Sequence, residues 1–227
     1  MKSIDKLDAM FFLLSKGKCR LVFKIVKNWL YSNSVSIGMD LDLDQNLNIE
    51  PEKIHISIRE FNQSDFAYFD NLIKTIPVDR DTYLLYNRLN LMKTDLKACY
   101  IGVTDDNTRC YIIWMINSDE NDNLRKIFGN FFPLLKEDEI LLEDVYVTKK
   151  FRGVSIYTNA TSLVCEIAKK AGKHRAITFV DEKNASAIRA SQKIGFKYYT
   201  HRFEKWRLLR RSVKFQEIPK LQPDTGQ

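Results

Sequence analysis

ILLEDVYVTKKFRGVSIYTNATSLVCEIAKKAGKHRAITFVDEKNASAIRASQKIGF, residues 140–196, reads as strand, tight loop, helix, strand, helix. Ile140 to Val147 is an apolar run interrupted by Glu143 and Asp144, the pattern of a strand buried on both faces. Strict alternation puts Leu141, Glu143, Val145 and Val147 on one face and Leu142, Asp144 and Tyr146 on the other. A carboxylate inside such a strand is costly unless something pairs it or uses it. KKFRGVSIY then turns into a helix with Ile156, Ala160, Leu163, Val164, Ile167, Ala168 and Ala171 inward, and Gly172 stops it. Arg175 to Val180 reads as a second strand. Asn184 is placed to cap a helix with Ala187, Ile188, Ser191 and Ile194 inward, which Gly195 ends.

A tight turn entering a helix presents backbone N–H groups and the positive end of the helix dipole, a natural pyrophosphate site. Lys149, Lys150 and Arg152 surround this one. The order of elements, with FRGVSIY at the loop, Asn184 and the closing Gly195-Phe196 pair, resembles the cofactor half of the GNAT superfamily, the acyl-CoA-dependent N-acyltransferases. The pattern back to Ile54 is compatible with the same fold. The resemblance implies an α+β fold: a twisted, mostly antiparallel sheet flanked by helices, whose central strands splay around the pantetheine arm of acyl-CoA. It implies that backbone groups of Val145 and Val147 pair with the pantetheine amides. Amides of Arg152, Gly153, Val154, Ser155, Ile156 and Tyr157 would hold the pyrophosphate, and Asn184 would lie beside the cofactor arm. The cosubstrate implied is acetyl-CoA or another acyl-CoA, with no metal. The acceptor implied is a primary amine of a small molecule, an amino sugar or a peptide.

Two positions depart from the family pattern. Its loop reads Gln or Arg, two residues, Gly, one residue, then Gly or Ala, where this chain has Arg152, Ser155 and Tyr157. Glycine lets a phosphate approach the backbone closely. Ser155 is small enough to serve, although its hydroxyl could cap the helix itself. A Tyr157 ring pointing into the site would weaken cofactor binding, whereas one pointing into the packing would change little. At Ser191, many relatives carry a tyrosine that protonates the leaving thiolate, and serine is a poor acid. An ammonium acceptor must lose a proton before it attacks, so a carboxylate base is needed. Glu143, read on the face of Val145 and Val147, is the expected base, and burial should raise its pKa. Ser191 is the second expected catalytic position, and the Val147 N–H could stabilise an oxyanion. The departures support an alternative reading, a member of the fold that has lost its chemistry and acts as a binding or interaction module.

The remaining sequence bounds these readings. The 227 residues carry a net charge of +7, which suits nucleic acid, an anionic membrane surface or a cofactor with three phosphates alike. The basic run Lys205 to Lys214 reads as a solvated strand edge, so nucleic-acid binding is not expected. Four scattered cysteines without a CxxC pair argue against disulfides or zinc. With no apolar run near the roughly 20 residues that cross a bilayer, the expected compartment is the cytoplasm. Three histidines without supporting partners disfavour a hydrolase triad. Residues 5–31 read as basic amphipathic helix broken at Gly17, packing on its own domain in preference to a membrane. Asp40 to Asn48 reads as loop. The expected division is a helical extension and loop at 1–50, an acyltransferase domain at 51–216 and a disordered tail at 217–227. Within the domain, strands are expected at Ile54–Ile58, Lys97–Val103 and Tyr111–Asn117, and helices from Ser64 or Asp65 to Ile73 and over Asp79–Leu91. Ser118–Glu139 reads as an acceptor-binding loop or, in preference, a small helix that covers one sheet edge, and Lys197–Thr200 with Phe203–Leu209 should close a hairpin.

Overall fold

Gly17, at φ 69°, turns the chain in the left-handed region and splits the N-terminal helical stretch into α1 (Ser3–Ser15) and α2 (Cys19–Leu30). The computed structural model describes residues 3–47 and 54–218, so most of the expected tail, 219–227, lies outside the described residues. The segment after α2 corrects the expected extension. Tyr31–Asp42 form a strand, β1, rather than the approach to a loop, and it lies within the sheet. Val35, Ile37, Met39 and Leu41 alternate along it, and Met39 and Leu41 are buried. The Ser, Asn, Gly and Asp residues between them disguise that alternation as loop composition.

The chain continues through β2 (Ile56–Glu60), α3 (Gln63–Thr75), α4 (Arg80–Leu91), β3 (Cys99–Thr104), β4 (Arg109–Asn117) and α5 (Asn121–Phe128). It ends with β5 (Glu139–Val147), α6 (Ile156–Lys170), β6 (Arg175–Asp181), α7 (Ala185–Ile194), β7 (Lys197–Arg207) and β8 (Arg210–Glu217). Asn62, just ahead of the expected caps, starts α3 through a reciprocal box with Asp65, and Asp79 caps α4 with Thr82. The closing hairpin turns at Leu208–Leu209 and not near His201, because β7 runs unbroken past that point.

The fold is α+β, with one eight-stranded sheet in the order β2-β3-β4-β5-β6-β1-β7-β8. All its pairings are antiparallel except β5 with β6. One face buries Ile156, Ala160 and Val164 of α6 and Ile188 and Ile194 of α7 against Met39, Ile113 and Leu142. The other buries Phe69, Ile73, Leu85, Leu89 and Leu124 of α3, α4 and α5 against Ile101, Ile112, Trp114 and Leu141. Fully burying one such side chain is worth roughly 1.5–3 kcal/mol, so both layers contribute heavily.

Two irregularities in β5 shape the molecule. Its parallel pairing with β6 lasts only from Glu139 opposite Arg175 to Leu141 opposite Ile177, after which the strands part. Its pairing with β4 slips between Ile112 and Trp114, and Asp144 there has φ 55°. This is a β-bulge, one extra residue in β5, and it re-aims every side chain beyond it. Strict alternation therefore fails. Glu143 lies opposite Trp114 on the face of α3, α4 and α5, whereas Val145 and Val147 pack with α6 and α7. The expectation that Glu143 shares their face is overturned by that single residue.

Candidate functional site

The parting of β5 and β6 opens a cleft of about 840 Å³. Its walls are Glu143–Val147 of β5, Thr178–Asp181 of β6, the loop residues Phe151–Gly153 and Ser155–Tyr157, and Asn184, Ala187 and Ala190 at α7. Asp81 and Arg88 of α4 close one side, and no histidine lines it.

Glu143 bridges the gap where the strands separate. One carboxylate oxygen accepts the Phe179 N–H of β6 at 3.2 Å and the other accepts the Asp144 N–H at 3.3 Å. The carboxylate thus takes a β6 donor just beyond the last paired residue, Ile177. Burial pushes its pKa up to about 7, with the Asp144 carboxylate adding to the rise. The Arg202 charge and the two N–H donors pull the other way.

The loop has the geometry of an anion cradle. Gly153 and Ser155 take φ 80° and 62°, the left-handed conformation used in turns that gather N–H groups around an anion, and both line the cleft. An added Cβ at Gly153 would meet no atom within 4 Å, which leaves open space beside the backbone. Ser155 is the N-cap of α6 yet makes no side-chain cap bond, leaving the first-turn donors to a ligand. Two of the basic residues are held by carboxylates of α4 and its cap. Lys149 pairs with Asp79 at 2.6 Å and holds that carboxyl down to about 2, and Arg152 pairs with Asp81 at 2.9 Å.

Thr148 donates to the Cys110 carbonyl of β4, so by alternation the Val147 N–H points into the cleft. Of the Val145 and Val147 backbone groups expected to pair with a pantetheine arm, both carbonyls already accept, from Arg88 Nη2 at 2.9 Å and Arg152 Nε at 3.1 Å. Each carbonyl keeps a second lone pair.

The Tyr157 ring packs on the core beside Val145 and Ala187 while forming part of the cleft wall. Its hydroxyl lies 2.8 Å from Ser191 Oγ. Ser191 is fully buried and does not itself line the cleft, which it reaches only through Tyr157. Asn184 caps α7 by accepting the Ala187 N–H and stands at the cleft rim. Val154 and Ile156 carry the loop into α6, with Ile156 buried beneath it.

Two arginines escaped the sequence reading. Arg88 donates to both the Asp144 and Val145 carbonyls and pairs with the Asp144 carboxylate at 2.8 Å, fastening α4 to the bulge. Its helical spacing from Leu85, on the buried face of α4, was the available signal. Arg202 is buried over Phe131 and Phe179, 3.7 and 4.5 Å from the ring centres, and bonds Ser36.

The model of the acetyltransferase (GNAT) family matches residues 73–196. No curated protein matches the chain. Among solved structures, the glucosamine N-acetyltransferase region of a fungal multi-domain GH3 β-N-acetylglucosaminidase is 14% identical with a TM-score of 0.55, covering 82% of this chain and 22% of that one. A GNAT-family acetyltransferase from Colwellia psychrerythraea is 13% identical at TM-score 0.51, covering 81% of this chain and 59% of that one. A GCN5-related N-acetyltransferase from Sphaerobacter thermophilus is 14% identical at TM-score 0.50, covering 90% and 58%. The chain spans less than two thirds of the length of these three structures, and at such identities the likeness is one of fold.

Proposed function

Because the chain belongs to the GNAT acetyltransferase family, we propose that its cleft moves an acyl group, in the first place acetyl, from acyl-CoA to a primary amine. The observation that carries this reading is Glu143, a half-buried carboxylate with a pKa of about 7 placed where β5 leaves β6. A base in that range is substantially ionised at neutral pH yet still basic enough to take an ammonium proton.

The thioester of acyl-CoA supplies the activated acyl group. N–H groups from Gly153 to Tyr157, at the start of α6, bind its pyrophosphate, whereas the Arg152 N–H, expected among them, already donates to the Lys149 carbonyl. The Val147 N–H, aimed into the gap, stabilises negative charge developing on the reacting carbonyl oxygen. Glu143 removes the acceptor's proton, directly or through a water. Tyr157, whose pKa is raised by burial and so stays protonated, gives its proton to the departing sulfur while Ser191 orients it. Ser191 is then a positioning residue.

A second reading, a binding module without chemistry, is favoured by one observation, the arginines already seated on the Val145 and Val147 carbonyls. Thermal unfolding with CoA, acetyl-CoA and a longer acyl-CoA separates the two. A ligand at about 100 times its Kd adds roughly 2.7 kcal/mol, a rise of several degrees for a chain of this size. A well-folded sample that shifts with none of the three would sink the transferase reading.

A further inference from the structure

The large apolar side chains left exposed are not scattered. Of the ten among the described residues, seven lie on α1, α2, the first residue of β1 and the β7–β8 turn. Phe11 is 66% exposed, Phe23 71%, Leu208 79% and Leu209 61%. On α2, Leu21, Val22, Ile25, Val26 and Trp29 turn toward the protein, while Arg20, Phe23, Lys24, Lys27 and Leu30 form an outward stripe at helical spacing. The hairpin tip is fastened to the end of that helix, since Leu208 and Leu209 donate to the Leu30 and Trp29 carbonyls at 2.9 and 3.0 Å.

The tip is strained as well as exposed. Leu208 and Leu209 are the two central residues of a two-residue hairpin, at φ 48° and 66°. Such turns favour Asn-Gly, and leucine occupies that conformation at a cost. Two leucines held there, pointing into water, are a liability to the free protein and signal a use outside it.

Charge selects the partner. Between Asp8 and Asp40 the chain carries five lysines and arginines and no carboxylate, and between Glu204 and Glu217 five more and none. Arg211 turns inward onto the Phe128 carbonyl, and none of the other nine forms an ion pair among the described residues. A second copy would bring the same positive charge. Phe11 and Phe23 could stack on bases, but the Leu208–Leu209 tip neither stacks on them nor bonds their edges, which favours lipid over nucleic acid. We propose that this face docks on an anionic lipid bilayer. The α2 stripe and the Leu208–Leu209 tip enter the headgroup layer, and the surrounding cations meet lipid phosphates and carboxylates. No described helix is long and apolar enough to cross a membrane, so the contact is with the surface. On this proposal α2 packs on its own domain through its inner residues and meets lipid through its outer stripe.

The test is co-sedimentation of the full chain with vesicles of phosphatidylcholine alone or mixed with phosphatidylserine. Binding is expected to the mixed vesicles only, and to fade as salt rises. The double variant Leu208→Asn, Leu209→Gly suits the turn better than the native pair, so it keeps the fold, and its affinity should drop at least about tenfold. Lys24→Gln with Lys27→Gln, both exposed, should drop it by a similar factor. The proposal is overturned if the native chain stays with the supernatant, binds both vesicle types alike or is retained by nucleic acid instead. It is equally overturned if the folded variants sediment as the native chain does.

Discussion

Glu143 carries the sharpest predictions at the scale of a residue. If the proposed transfer holds, Glu143→Gln is expected to lower kcat/KM by about 10²–10⁴, and the native protein's kcat/KM should rise as pH passes upward through about 7. The same carboxylate leaves a mark on stability. Its folded pKa lies above the ordinary 4.5, so between about 4.5 and 7 the native state holds a proton that the unfolded chain has released. Stability therefore falls with rising pH across that window, by up to roughly 3 kcal/mol relative to the glutamine variant. Urea titrations of both proteins at several pH values would reveal it, and parallel curves would refute the assignment. Tyr157→Phe should reduce kcat by roughly 10² with little change in KM for acyl-CoA, since it removes only the hydroxyl. Ser191→Ala, which leaves the phenol in place, should cost less than about tenfold. Equal losses in the two variants would mean that the pair serves packing and not proton transfer.

Among elements, β5 shows what a sequence reveals and what it hides. The succession β5, loop, α6, β6, α7 was legible because each piece carries its own mark: an apolar run, a helical stripe, an Asn cap, a Gly stop. Glu143 was legible as a carboxylate within a buried strand, but its face was not. The bulge at Asp144 is gripped by Arg88, which bonds the bulged backbone from another element 56 residues away. Such long-range fastening leaves no local periodicity. β1 was missed for a related reason, because its partners β6 and β7 make a strand of a segment with loop-like composition. Gly38 gives another instance, since an added Cβ there would collide with Thr200 and Phe179 side chains from those neighbours. Arg88→Met should therefore do more than remove a surface charge. It strands two carbonyls and the Asp144 carboxylate, and is expected to destabilise by about 2–4 kcal/mol in urea unfolding while lowering activity. Unchanged stability would show that the bulge holds itself.

At the scale of the whole molecule, the N-terminal segment is part of the sheet. β1 pairs with β6 on one side and β7 on the other, so deleting residues 1–42 would cut the sheet in two. Such a truncation is expected to lose cooperative thermal unfolding, and a sharp transition in it would contradict the central placing of β1. That placing also sets a timetable. The ribosome makes β1 long before β6 and β7, more than a hundred residues later, and at ~5–20 residues per second the strand waits on the order of ten seconds for its neighbours. Until then its two edges, and the basic apolar helix ahead of it, are open to whatever the nascent chain meets. Chaperone dependence during synthesis, and slow refolding from denaturant owing to such distant pairings, are the consequences of where one strand sits.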